Sequence, residues 1–226
     1  MIQLYNSPPK LNFLSVRGID MQILDGNSSN SWYSVGEEMQ ADDYHLDEMN
    51  LGPNDVVIDI GTNIGITAIY IAKKFGCRVI GFEPMPPTYN LLVNNIKIND
   101  VAHLVTVHNC AITKRGGDTL PITYDENRSS ASTTWLSGEY WNCRTETIDK
   151  YIEDLDSIKL FKIDCEGGEY EVVPAIIPYM SKIENIVVEY HKYVFEQQPE
   201  ELHKTIKENF KGNLIATIAP NTPVTW

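Results

Sequence analysis

Two apolar runs in this chain end in residues that can move a proton. One is Leu160-Phe161-Lys162-Ile163-Asp164-Cys165-Glu166-Gly167-Gly168-Glu169, with three carboxylates in six residues beside two glycines. The other is Ile186-Val187-Val188-Glu189-Tyr190-His191. Extended chain repeats its faces every two residues, so a strand end puts Asp164 and Glu166 on one face and Glu189 and His191 on one face. His191, or a carboxylate with a raised pKa, would serve as a general base near neutral pH. Asp164, Glu189 and His191 would equally make an oxygen-and-imidazole ligand set for Mg2+ or Mn2+. A hydrogen-bonded structural cluster is the plainer alternative. For Glu166 and Glu169 so is capping of a helix that starts near Gly168, where acids suit the first turn.

A second chemical feature lies upstream in Val56-Val57-Ile58-Asp59-Ile60-Gly61-Thr62-Asn63-Ile64-Gly65. An apolar strand runs into a turn of the form D-x-G-x-x-x-G, and a helical pattern follows to about Phe75. The tighter G-x-G-x-x-G of dinucleotide sites is absent. The looser turn suits a nucleoside with an amino-acid tail, as in S-adenosyl-L-methionine. Gly61 and Gly65 can adopt positive φ and let backbone approach a ligand. With Asn63 they are the turn's candidate contacts. A helix starting near Ile64 would aim unpaired N–H groups at a carboxylate. Asp59 would hold the turn or meet the ligand's ammonium.

The next strand, Arg78-Val79-Ile80-Gly81-Phe82-Glu83-Pro84, ends in an acid 24 positions after Asp59, near the roughly 20-residue spacing of a carboxylate that meets ribose hydroxyls. Pro84 stops that strand. The third strand ends in Val107-His108-Asn109-Cys110-Ala111, which would place Asn109 and Cys110 near an adenine, with His108 on the other face.

These residues need a scaffold, and the pattern predicts one. Strands read near 56–60, 78–82, 104–109, 159–163, 185–190 and 213–218. Helices read near 65–75, 87–98, 146–154, 168–180 and 198–210. Such alternation implies an α/β fold with a doubly wound, mainly parallel sheet covered on both faces. Residues 1–50 read as a lead-in, with a hairpin around Gly18 and a helix or partial helix within Glu37–Met49. Residues 51–226 carry the main unit, in a single domain overall. The segment from Thr113 to Cys143, with Trp135, Tyr140 and Trp141, is either a lid that stacks on a substrate or a surface hairpin with its aromatics folded inward. The ending Pro220–Trp226 is short for a full last strand.

Composition narrows the function. The chain has 226 residues, 42% hydrophobic and 22% charged, in the range of a globular protein with a substantial core. There is no run of 18 apolar residues, so no spanning helix is expected, and the start lacks a signal-peptide pattern. A net charge of −13 disfavours nucleic acid as substrate. Cys77, Cys110, Cys143 and Cys165 are scattered without a C-x-x-C, which fits reduced thiols in the cytoplasm. The oligomeric state has no signature.

The order D-I-G-T-N-I-G, G-F-E-P, K-I-D-C-E-G-G-E and V-V-E-Y-H closely resembles FkbM-family methyltransferases, over roughly residues 50–192. Thr62 and Gly168 stand where that family commonly has alanine. The resemblance implies the class I (Rossmann-like) methyltransferase fold, with S-adenosyl-L-methionine held by the Gly61–Gly65 turn and Glu83. It also implies that Lys162, Asp164, Glu166 and Glu189 line the active centre. The implied reaction is O-methylation of a small hydroxylated molecule or sugar. An N-methyltransferase and a nucleotide-binding α/β module without transferase activity are the alternatives.

Overall fold

The computed structural model describes residues 7–124, 132, 133, 139–192, 198–219, 222 and 223. The chain opens with a hairpin, β1 (Lys10–Val16) and β2 (Ile19–Asp25), turned by Arg17 and Gly18 at positive φ. Helix α1 (Ser31–Ala41) and a 3-10 turn (Leu46–Met49) follow. The βα units then begin: β3 (Val56–Ile60), α2 (Ile66–Phe75), β4 (Arg78–Phe82), α3 (Pro86–Ile98) and β5 (Val105–His108). Four strands interrupt them: β6 (Ala111–Ile112), β7 (Thr119–Tyr124), β8 (Ser132–Thr133) and β9 (Glu139–Glu146). Alternation resumes with α4 (Asp149–Ile152), β10 (Ile158–Ile163), α5 (Glu169–Ile176), a 3-10 helix (Ile177–Lys182), β11 (Ile183–Tyr190), α6 (Pro199–Asn209), β12 (Asn213–Ile218) and β13 (Thr222–Pro223).

The central sheet has the order β13-β12-β11-β10-β3-β4-β5. Six of its strands are parallel and β13 is an antiparallel edge. Helices cover both faces, which is why the inner strands read as apolar runs. On one face Val57, Leu160 and Val187 pack with α2, α3, the hairpin and Met39, Tyr44 and Leu46. On the other, Ile58, Phe161 and Ile186 pack with α4, α5 and α6. The described N-terminal segment is thus part of one core, because Val16, Met21 and Ile23 sit in it at 2% exposure or less.

Three expectations shift. The helix sought within Glu37–Met49 begins earlier, at Ser31, and stops at Ala41. Asp42 takes the left-handed conformation, its N–H meets the Met39 carbonyl at 3.3 Å, and its carboxylate accepts from the Leu46 N–H at 2.9 Å. The helix sought over 168–180 stays α-helical only to Ile176. Pro178, early in the 3-10 helix, cannot donate to the carbonyl a turn back. The helix sought over 146–154 is the single turn α4, since β9 extends to Glu146. In the Thr113–Cys143 segment the described strands β8 and β9 each pair antiparallel with β7. Within it the half-buried Trp141 packs on Met85, Ile122, Tyr124 and Cys143, while Tyr140 is exposed. Trp135, like residues 125–131 and Trp226, lies outside the described residues.

Candidate active site

A cavity of about 540 Å³ opens over the carboxyl ends of β3, β4, β10 and β11. It sits where strand order reverses, between β3 and β10. Gly61, Asn63, Gly65, Glu83, Pro84, Cys110, Lys162, Asp164, Glu166, Glu189 and His191 all line it. Of the expected site residues, Asp59 and Asn109 do not.

The β3 turn is built around its glycines. Gly61 and Gly65 have φ of 86° and 95°, and Asn63 has φ of 52°. A Cβ on Gly61 would lie 1.8 Å from the Asp164 carbonyl oxygen, and one on Gly65 would lie 2.5 Å from Leu92 Cδ1. Close approach of protein to protein, rather than to a ligand, is what first demands glycine there. Helix α2 runs from Ile66 to Phe75, close to the expected 65–75, and no side chain caps it. Its first-turn N–H groups therefore face the cavity mouth as anion donors.

Glu83 is buried at the end of β4. Its Oε2 accepts from the Asn63 N–H at 3.0 Å and its Oε1 from the Met85 N–H at 2.9 Å. Burial pushes its carboxyl up to about 7. Each oxygen keeps a lone pair for a further donor. Asn109 has a supporting task in place of the expected adenine contact: its amide donates to the carbonyls of Glu83 at 2.9 Å and Pro84 at 3.0 Å. His108 stacks on Phe82 with 5.4 Å between ring centroids and does not line the cavity. This half of the cavity thus offers carboxylate acceptors at Glu83 and unpaired N–H donors at the start of α2, the groups that a nucleoside with a carboxylate tail would call on.

The other half is ionic. Asp59 turns away from the cavity because Lys162, its cross-strand neighbour, claims it: Nζ lies 3.3 Å from Asp59 Oδ1 and 3.1 Å from Asp164 Oδ2. Lys162 also lies over the Tyr44 ring, 5.4 Å from its centroid. Burial would lower the lysine, but Asp164 and Asp59 hold it well above its ordinary value. Burial would raise Asp164, but Lys162 and His191 hold it below the usual carboxylate range. The Tyr44 hydroxyl donates to Asp164 Oδ2 at 3.3 Å.

His191 Nδ1 lies 2.9 Å from Glu169 Oε1, and its Nε2 lies 3.6 Å from Glu166 Oε2. Burial would lower the imidazole, but the bond to Glu169 and the charges of Glu166 and Asp164 raise it to about 9. Glu189 and Glu166 are each pushed by burial to about 7. Asp164, Glu189 and His191 each offer one ligand atom, all within 4.8 Å of one another. Glu166 arrives by a turn rather than by strand alternation. β10 ends at Ile163 and Glu166 has φ of 55°.

Three residues here escaped the sequence reading as site members. Glu38 and Tyr44 come from the N-terminal segment, where no motif marks them. Glu169, fully buried, accepts from the Cys165 and Gly167 N–H groups and holds His191. It does more than the capping weighed for it, and its spacing in E-G-G-E was the available signal.

Residues 59–212 match the methyltransferase FkbM domain. The chain belongs to the FkbM methyltransferase family. It is similar to methyltransferase sdnD of Sordaria araneosa, 30% identical over 65% of this chain and 70% of that one. It is also similar to the hexuronic acid methyltransferase AglP of Haloferax volcanii, 26% identical over 69% of this chain and 62% of that one. Among solved structures, precorrin-6y C5,15-methyltransferase of Geobacter metallireducens aligns with a TM-score of 0.46 at 14% identity, over 76% of this chain and 70% of that one. This FkbM protein is a methyltransferase. All four of its cysteines are free, and no helix among the described residues is long and apolar enough to cross a membrane.

Proposed function

We propose that this FkbM methyltransferase O-methylates a hydroxyl of a small molecule or sugar. The observation that carries the reading is the pairing of Asp164 and Glu189 at the cavity. Their ligand atoms lie within 4.8 Å, yet their surroundings push them apart, Asp164 down and Glu189 up to about 7. Two carboxyls tuned in opposite directions divide the work of acid–base chemistry. Asp164 stays ionised and accepts the hydroxyl's hydrogen bond, which orients the oxygen. Glu189 takes the proton as the oxygen attacks. An alcohol needs that help, and general base catalysis is typically worth about 10²–10⁴-fold. His191, held as a cation by Glu169, balances the charge beside them and is not the base.

Glu83 would accept from the two ribose hydroxyls, Asn63 and the Gly61–Gly65 turn would follow the tail, and Pro84 and Cys110 would bound the adenine end. Bound there, S-adenosylmethionine supplies a methyl group on a sulfonium. Alignment of the acceptor oxygen with that methyl can contribute about 7–11 kcal/mol. The O–H and C–S bonds break as the C–O bond forms, and the proton ends on Glu189. AglP's name gives a hexuronic acid as its acceptor, which supports a sugar or similarly hydroxylated small molecule as the class.

Transfer of labelled methyl from the cofactor to a panel of hydroxylated and amino acceptors tests the reading. Asp164→Asn should strip turnover while cofactor binding persists. Turnover that survives, or label found only on nitrogen, refutes it. The oxygen-and-imidazole geometry of Asp164, Glu189 and His191 favours one second reading, a bound Mg2+ or Mn2+. It predicts loss of turnover in EDTA and recovery with either ion.

A further inference from the structure

A second cavity, of about 420 Å³, adjoins the first. The two share Glu38, Tyr44 and Glu189 as walls. Tyr44 is also the residue that donates to Asp164, so the shared wall stands at the proposed transfer centre. The second cavity's floor is apolar, from Val187, Ile215 and Ala216. Its remaining walls come from the end of α1 and the turn after it. We propose that the second cavity seats the acceptor, and that the acceptor carries an ammonium group beside the hydroxyl to be methylated, as an amino sugar or an amino alcohol does. The proposal rests on the O-methylation reading above and names its substrate class.

The charge lining this cavity decides the class. Glu38, Asp42, Asp43, Glu48 and Glu189 line it, and no lysine or arginine does among the described residues. Two of the five are answered nearby, Asp42 by Arg17 at 2.8 Å and Glu48 by His45 at 3.2 Å. Lys162, the cation on the far side of Tyr44, is already held by Asp59 and Asp164. Glu38, Asp43 and Glu189 remain. Among the described residues Glu38 and Glu189 form no ion pair, and both stand at the wall that the second cavity shares with the first, beside Tyr44. An anionic acceptor would meet repulsion at this wall. A neutral polyol would leave the charges uncompensated. An ammonium supplies three donors and one positive charge for Glu38 and Asp43 to meet, while Glu189 stays open to the hydroxyl's proton. A protonated amine has no lone pair for attack, so it anchors the acceptor and leaves the hydroxyl to react.

Glucosamine, glucose and glucuronic acid share one ring and differ in charge. Their binding to the full chain saturated with S-adenosylhomocysteine, followed by NMR or calorimetry, tests the proposal. Glucosamine should bind about tenfold or more tighter than glucose, as expected for one partly buried ion pair. Glucuronate should bind weakest. Glu38→Gln and Asp43→Asn should each shrink the glucosamine advantage. Equal affinities, a preference for glucuronate, no glucosamine binding, or an advantage untouched by both variants overturns the proposal. Failure of S-adenosylhomocysteine itself to bind would instead strike the reading beneath it, which separates the two.

Discussion

Replacing Lys162 by Met removes the cation at the centre of the site, and the structure sets the size of the loss. Lys162 is 3% exposed and Asp59 is 1% exposed. Among the described residues the Lys162 ammonium, 3.3 Å from Asp59 Oδ1, is the main compensation for the buried Asp59 carboxylate. Breaking a buried ion pair from one side costs about 3–5 kcal/mol, because the stranded charge has no water to return to. The loss depends on pH in a defined direction. In the wild type the lysine's pKa is raised, so its stabilisation is complete below the unfolded lysine value and disappears only at strongly alkaline pH. Between pH 5 and 8 it is constant. In the variant, Asp59, already raised by burial, rises further. The folded variant then holds a proton that the unfolded chain has released, so its stability falls as pH rises. Urea denaturation should show a small deficit at pH 5 and the full deficit of about 3–5 kcal/mol at pH 8. Adding Asp59→Asn to Lys162→Met should restore part of it at pH 8. A loss under about 1 kcal/mol at pH 8, or one independent of pH, would refute the buried-pair reasoning.

Gly61→Ala forces a side chain into left-handed backbone, about 1–2 kcal/mol, and drives it into the Asp164 carbonyl. Denaturation should show a loss of about 3 kcal/mol or more, and normal stability with lost cofactor affinity would return that glycine to a ligand role. Glu83→Gln removes a charged acceptor and should weaken S-adenosylmethionine by about 1.5–3 kcal/mol in calorimetry. Wild-type affinity should fall as pH drops from 8 to 6, because the free enzyme protonates Glu83 at about 7, while Glu83→Gln should be flat over that range. Glu169→Gln takes away the charge that raises His191, so its imidazole, followed by NMR, should titrate well below about 9; an unchanged midpoint would mean the other acids hold it.

What the sequence disclosed followed from local rules. Asp59-x-Gly61, Glu83 and the Lys162–Glu169 run each lie within one strand–turn unit, and period-two alternation plus glycine chemistry locates the turn. The parallel sheet followed from alternating elements. What stayed hidden was contact between distant segments. Nothing in Ser31–Ala41 shows that Glu38 will meet Glu189, because that depends on how the hairpin and α1 dock on the sheet. Asp59 read as a ligand contact because its cross-strand partner, Lys162, lies over a hundred residues away. The Glu166 alternation argument failed for a local reason: β10 stops at Ile163, and a left-handed Glu166 breaks the period.

The two halves of the site therefore stand under different constraints. The strand-end groups, from Asp59 to His191, fall inside the stretch that matches the FkbM domain. Those at Asp59, Gly61 and Lys162 are packed against their neighbours, so a change there strands a charge or displaces backbone. Glu38, Asp43 and Tyr44 lie before that stretch. Among the described residues Glu38 and Asp43 hold no ion pair and border an open cavity, whereas Tyr44 is packed in the core. Glu38→Gln should then change stability by no more than about 0.5 kcal/mol, against the several expected for Lys162→Met, while it alters which acceptor binds. Denaturation of the two variants side by side measures this asymmetry. A loss at Glu38 as large as that at Lys162 would mean the N-terminal wall is part of the structural core and no separate seat for the acceptor.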